Sequence, residues 1–142
     1  MPSFVHLHLH TEYSLVDGAL RIDSERRDDG SVVREGLVDA CARMGMPAVA
    51  VTDQVNLFAL VKFYRAALSR GVKPLVGVDL MLREEGERAE PSRLTLLCQD
   101  ETGYLNLTRL VTRAYLEGQG RHGPAVERSW LDAGAAAGLV AL

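Results

Sequence analysis

Apolar positions change their period several times along the chain, and each change marks an element. Val5, Leu7 and Leu9 alternate with His6, His8 and His10, which is the two-residue period of a strand. Residues 17–31 are polar and rich in charge and read as a loop. Val33, Leu37, Cys41 and Met44 then recur at helical spacing and predict a first helix, with Gly45 near its end. Residues 48–52 are a short apolar run between Pro47 and Asp53, and they predict a buried second strand. Asn56 is placed to cap a second helix with an apolar face of Leu57, Leu60, Val61, Tyr64 and Leu68, ended by Gly71. Residues 74–82 predict a third strand, 83–92 a charged loop, and 94–98 a fourth strand. Asp100 or Thr102 caps a third helix carrying Leu107, Leu110, Val111 and Ala114, and Gly118 follows it. Residues 119–123 are a further loop, Trp130-Leu131 a short helical turn, and 138–142 the start of a fifth strand.

Strands that alternate with amphipathic helices predict a parallel α/β sheet, open or closed into a barrel. Strands two and four are continuously apolar, as expected when helices cover a parallel sheet. There is no internal repeat and no low-complexity tract. The last residues fall inside a predicted strand, so the expectation is a segment of a longer protein.

A length of 142 residues corresponds to one domain or part of one. With 47% hydrophobic and 25% charged residues, the composition fits a soluble globular chain and argues against disorder. The formal net charge of −3 argues against a main nucleic-acid grip in this segment, because such surfaces are usually basic. No apolar stretch approaches the roughly 20 residues that span a bilayer, and the N-terminus lacks a basic start followed by an apolar run. Cys41 and Cys98 form no Cys-x-x-Cys and read as buried thiols of a reducing compartment. The expected location is the cytoplasm.

The candidate chemistry lies where parallel sheets place it, at the C-terminal ends of strands. His8 and His10 close strand one, and a His-x-His pair projects two imidazoles in parallel toward one divalent ion. Asp53 and Gln54 close strand two, Asp79 lies in the C-terminal half of strand three, and Asp17 sits in the loop after strand one. A mix of imidazole nitrogen and carboxylate oxygen suits Zn²⁺ or Mn²⁺. Two metals bridged by a carboxylate suit phosphoester hydrolysis. Plainer roles exist for each group: Asp17 before Gly18 shapes a turn, Asp53 caps backbone amides, and Asp79 is a solvated strand-end residue. His6 is better placed as a packed or outer histidine than as a ligand, and His122 as surface.

The residues Phe4-Val5-His6-Leu7-His8-Leu9-His10-Thr11-Glu12-Tyr13-Ser14-Leu15-Val16-Asp17-Gly18-Ala19 closely resemble the first motif of the PHP (polymerase and histidinol phosphatase) family. The likeness is to the branch that opens the replicative α subunit of bacterial DNA polymerase III. Gly45-Met46-Pro47-Ala48-Val49-Ala50-Val51-Thr52-Asp53 resembles the second motif. Residues 56–64, 71–79, 94–98 and 103–107 are similar to that branch too, so only residues 21–31 fall outside the likeness.

The resemblance implies a distorted TIM-like barrel of about seven βα units, a (β/α)7 variant of the eightfold barrel. Residues 1–142 would supply its first half, with polymerase domains beyond. It implies metal ligands at His8, His10, Asp17 and Asp79. The second motif carries Gln54 where the family has a histidine ligand, and Asp79 stands where the family often has a glutamate. It therefore implies a weakened or absent trinuclear site, degenerate for Zn²⁺ or Mn²⁺, no assignable catalytic residue, and a polymerase Mg²⁺ centre outside this segment. The implied role is structural, or docking of a proofreading exonuclease subunit beside other polymerase III holoenzyme subunits. DNA and dNTPs would be bound by the rest of the protein, and no membrane is involved. The alternative it leaves is a metal-dependent phosphoesterase or 3′–5′ exonuclease.

Overall fold

The computed structural model describes residues 4–84 and 90–142. The chain forms two compact units. The first comprises Met1–Asp53 and Leu57–Val76, the second Gln54–Asn56 and Gly77–Leu142.

In the first unit, residues 5–9 do not make the regular strand that their alternation predicts. They run beside the strand formed by Ala48–Val51 and hold to it at separate points. The His6 carbonyl accepts from the Ala50 N–H at 2.8 Å, and the Leu9 carbonyl from the Thr52 N–H at 2.9 Å. The Leu9 N–H goes to Thr52 Oγ1 at 2.9 Å. A side-chain hydroxyl there replaces the backbone carbonyl that would have continued a ladder. A short 3₁₀ turn, Glu12–Ser14, follows, with Thr11 as its N-cap.

The polar stretch read as a loop contains an exposed antiparallel hairpin, β1 (Glu25–Arg26) with β2 (Val32–Arg34). Val33 belongs to β2, so the first helix, α1 (Leu37–Arg43), starts a turn later than its apolar spacing predicts. Gly36 is its N-cap and offers no side-chain bond. Glycine is required there because a Cβ would sit 2.4 Å from the Asp23 carbonyl carbon and 2.6 Å from the Ser24 nitrogen. β3 (Ala48–Val51) is buried throughout, as predicted.

α2 (Leu60–Ser69) buries Phe63 and Ala67, and Ala59 just before it. Of the face predicted to be inward, Leu57 and Leu60 are half-buried, but Val61 is 63%, Tyr64 47% and Leu68 57% exposed. Lys62, Arg65 and Ser69 make one polar side of this helix and apolar residues cover the rest, so periodicity leaves the centre of the buried face open. The small side chains of Ala59 and Ala67 allow close approach on theirs, and Phe63 fills the space between. Ile22, Leu37, Val38, Cys41, Val49 and Phe63 form the centre of this core. Asn56 does not cap α2; Ala59 is the N-cap.

β4 (Lys73–Arg83) pairs in parallel with β3, from Ala48↔Lys73 to Val51↔Val76. With α2 as the crossover this is the βαβ unit that the alternating pattern predicts.

In the second unit, the remainder of β4 pairs with β5 (Ser92–Cys98), but antiparallel, from Gly77↔Leu97 to Leu82↔Ser92. This corrects the expectation of parallel strands throughout. The charged stretch that joins these strands, part of which lies outside the described residues, contributes no crossover helix to the sequence pattern. A parallel return needs a dozen or more connecting residues, so the chain returns as a hairpin.

α3 (Glu101–Leu116) is capped by Asp100, whose carboxylate accepts the Gly103 N–H at 2.9 Å. It buries Leu107, Leu110 and Ala114, as its spacing predicts. β6 (Gln119–Gly120) and β7 (Gly123–Pro124) make a tight hairpin, with Gly123 at φ +90°. β8 (Val126–Glu127) pairs in parallel with the end of β4. A 3₁₀ turn at Arg128–Trp130 matches the predicted helical turn. β9 (Leu139–Ala141) is the predicted fifth strand and pairs antiparallel with β5. The chain is thus mixed α/β with parallel strands among its pairings. Among the described residues, no helix is long and apolar enough to cross a membrane.

Candidate metal centre

The polar segment after the His-x-His is held from below by one carboxylate. Asp53, at the end of β3, is only 1% exposed. Its Oδ1 accepts the Thr11 N–H at 2.6 Å and the Ser14 hydroxyl at 2.7 Å, and its Oδ2 accepts the Thr11 hydroxyl at 2.7 Å. Charge-assisted bonds of this length are strong, and an ionised carboxylate needs such donors to be buried. Asp53 is therefore the fastening of the 11–14 turn, in line with its amide-capping reading.

The same turn throws out residues 15–18. Leu15 is 83% and Val16 90% exposed, and Leu15 takes the left-handed φ of +42° that side chains avoid. Gly18 returns against the Thr11 carbonyl, with its own missing Cβ leaving the room. The Glu12 N–H to Leu20 carbonyl bond, 3.0 Å, closes the base of the loop.

This arrangement places Asp17 on His10: Asp17 Oδ1 lies 2.9 Å from His10 Nδ1. The His10 side chain is 10% and that of Asp17 36% exposed. His8 is exposed, and its ring packs edgewise on that of His10. Two imidazoles bound to one tetrahedral ion through nitrogens at about 2.0–2.1 Å have ring centres roughly 5 Å apart. The His8 and His10 centres are 5.1 Å apart, with planes at 63°. The ring separation is that of two imidazoles sharing one divalent ion. His6 is not packed inward as expected; it is exposed and lies edge-on to Phe4, ring centres 4.7 Å apart. His122 is exposed, as expected.

Within the second unit, Asp79 is 1% exposed on β4, so it is not a solvated strand-end residue. The Thr95 hydroxyl across the hairpin donates to its Oδ1. The Arg93 guanidinium is 4.0 Å from its Oδ2, and its backbone carbonyl accepts the Val55 N–H at 2.8 Å. Gln54 bridges to the Asp79 backbone, and its amide Nε2 lies 3.8 Å from Met81 Sδ.

A model of the PHP domain matches residues 6–142. The chain belongs to the PHP domain family. It is 47% identical over 140 residues to the DNA polymerase III subunit alpha of Pseudomonas aeruginosa, a match spanning 99% of this chain and 11% of that protein. It is 42% identical over 130 residues to the DNA polymerase III subunit alpha of Escherichia coli K12, covering 92% of this chain and 10% of that one. The chain thus spans about a tenth of the length of the curated relatives it matches. Among solved structures, an amidohydrolase from Chromobacterium violaceum superposes with a TM-score of 0.54 at 22% identity, over 78% of this chain and 33% of that one. That likeness concerns the fold alone.

In this PHP chain the groups that sequence reasoning missed are the supports. Thr11 and Ser14 hold the loop to Asp53, and Thr95 and Arg93 attend Asp79. Thr11, a residue type favoured at an N-cap, is the signal that could have suggested the first of these. Thr95 and Arg93 reach Asp79 only through strand register, which no local pattern encodes.

Proposed function

We propose that residues 1–142 are the N-terminal part of the PHP domain of a replicative DNA polymerase III α subunit. The observation that carries this reading is the 47% identity across 99% of the chain to the opening tenth of such a subunit. The parent protein is then a DNA-directed DNA polymerase, a nucleotidyltransferase that extends primers with dNTPs at a Mg²⁺ centre outside this segment. The parallel β3–β4 and β4–β8 pairings and the amidohydrolase likeness support reading the segment as the first half of a distorted (β/α)7 barrel. The segment's own work is scaffolding, with docking of the proofreading exonuclease subunit of a cytoplasmic replicase. Gln54, a neutral amide at the place of a family ligand, favours that over hydrolysis.

A specific observation also favours a residual metal site, and with it a second reading as a phosphoesterase or 3′–5′ exonuclease. The His8–His10 spacing suits one Zn²⁺ or Mn²⁺, and Asp17 and Asp79 are the carboxylates that the family resemblance assigns to the same ligand set. When bound, such an ion would polarise a phosphoester and lower the pKa of water. Primer extension by the full gene product tests the first reading, and its absence overturns that reading. Metal content of the same protein tests the second, with His8→Ala/His10→Ala as control. About one ion, lost in the double variant, supports a weakened site. A complete multinuclear set with phosphoesterase turnover would replace scaffolding by catalysis.

A further inference from the structure

The outer side of α2 carries an apolar stripe that the core of its own unit leaves bare. Val61, Tyr64 and Leu68 recur at i, i+3 and i+7, so they fall on one face of the helix. The buried Phe63 and Ala67 lie on the opposite face. All three stripe residues are exposed, and Leu57, one turn earlier on the same line, is half-buried. A contiguous apolar surface left outside marks a place of interaction. Arg65, one turn after Val61, borders the stripe and is exposed. Among the described residues it has no ion-pair partner, whereas Lys62 on the same helix is held by Glu12 at 3.5 Å and Asp23 at 3.6 Å. An apolar line with one cation at its edge complements an apolar face with a carboxylate beside it.

The size of the stripe selects among possible occupants. Three side chains fall well short of the about 800 Å² per partner that separate chains bury in a stable complex. A tethered segment needs far less, because it is present at an effective concentration of about millimolar. Such a tether is at hand in the relatives: the match covers 11% of the Pseudomonas aeruginosa subunit, so most of that protein lies outside it.

We propose that in the parent protein the outer stripe of α2 is covered by an amphipathic helix from the part of the chain beyond residue 142, with a carboxylate facing Arg65. This rests on the reading of the chain as part of a polymerase III α subunit, and it names the face of the segment that meets the rest of that subunit. Side chains three and four apart form the ridges that a second helix accepts in its grooves, and Val61, Tyr64 and Leu68 have that spacing.

The test uses the full gene product. p-Benzoylphenylalanine in place of Tyr64 keeps an aromatic ring on the stripe, and irradiation, digestion and mass spectrometry identify the peptide it captures. The expected adduct is intramolecular, with a peptide beyond residue 142. An adduct with a second copy, with an added holoenzyme subunit, or with residues 1–142 alone overturns the proposal. In parallel, Val61→Cys is alkylated in the native and in the urea-denatured gene product, and the label is counted on its own peptide. Native protection of about tenfold or more is expected for the gene product by itself, since a covered thiol is withheld from the reagent. Equal rates overturn the proposal, as does protection that appears only when other subunits are added. This measurement decides the matter where the photoreactive residue captures nothing. With Arg65→Glu the Val61→Cys thiol should react severalfold faster than with Arg65→Lys, and equal rates overturn the facing carboxylate. Primer extension by the unmodified gene product reports the parent reading separately. Extension together with a bare stripe overturns the proposal alone; absence of extension overturns the reading beneath it, and the proposal with it.

Discussion

Two loops, one in each unit, are clamped by a single buried side chain, and they are clamped differently. In the first unit the ionisable acceptor Asp53 gathers three donors and holds the turn that leads to Asp17. In the second unit the neutral donor Asn106, 8% exposed, gives its amide to the Gly134 and Ala137 carbonyls, each at 3.0 Å. Bonds to a charged acceptor are shorter and about twice as strong as neutral ones. The loop next to the histidines is thus held by the stiffer device. The stiffer device belongs to the loop that brings Asp17 Oδ1 to 2.9 Å from His10 Nδ1, the softer one to the loop that returns the chain to β9.

The largest effect should come from Asp53→Ala. It strands two hydroxyls and a backbone N–H in a buried place, and should lower unfolding free energy by about 3–5 kcal/mol. Urea unfolding measures this, and a loss below about 1 kcal/mol would show that the clamp is not what holds the turn. Asn106→Ala should cost less, about 1–2 kcal/mol, since two neutral carbonyls lose a partner. If it costs as much as Asp53→Ala, the contrast between charged and neutral clamps fails.

A smaller, pH-dependent contrast lies at Asp39 of the first unit. Ser24 and the Arg70 guanidinium, each 2.5 Å from its carboxylate, hold its pKa below the ordinary 3.8, the Ser24 hydrogen bond being the larger cause. A carboxyl whose pKa is lowered on folding stabilises the fold above its unfolded value and loses that contribution as pH falls through its folded one. Asp39→Asn should therefore melt lower at pH 7 by the equivalent of about 0.5–1 kcal/mol, as for a partly screened surface cluster. The gap should close as pH falls below the ordinary carboxylate value. A gap that is constant from pH 7 to pH 2 would assign the effect to packing.

The smallest effect concerns rate rather than stability. Burial, and secondarily the charge of Asp100, pushes the Cys98 thiol up to about 11. Its alkylation at pH about 8.5 should run roughly a hundredfold slower than that of a free thiol, because so little of it is thiolate. Denaturation should remove the difference, and equal rates in the folded chain would contradict the effect of this setting, in which Cys98 is half-buried rather than buried as expected, whereas Cys41 is buried.

Much of this fold was readable along the chain. β3, β9, α3 with its Asp100 cap, and the β3–α2–β4 crossover follow from apolar runs, caps and spacing, all of which are local. The buried face of α2 was not readable, because Val61, Tyr64 and Leu68 repeat at the same helical spacing as Ala59, Phe63 and Ala67. Steric fit against the rest of the core chooses between such faces. Residues 5–9 had the alternation of a strand, but the Thr52 hydroxyl occupies a position in the hydrogen-bonding pattern that alternation does not register.

The site divides in the same way. The sequence by itself determined the residue types of the candidate site, the His-x-His spacing of His8 and His10, and the family. These depend on residue identity and spacing within a few positions. Only the tertiary structure decided that Asp53 serves the 11–14 turn, that Asp17 meets Nδ1 of His10, and that Asp79 is buried beside Thr95. Each of those is a meeting of groups whose distance is set by loop closure, strand register and packing. Such distances are properties of the folded chain and have no local code.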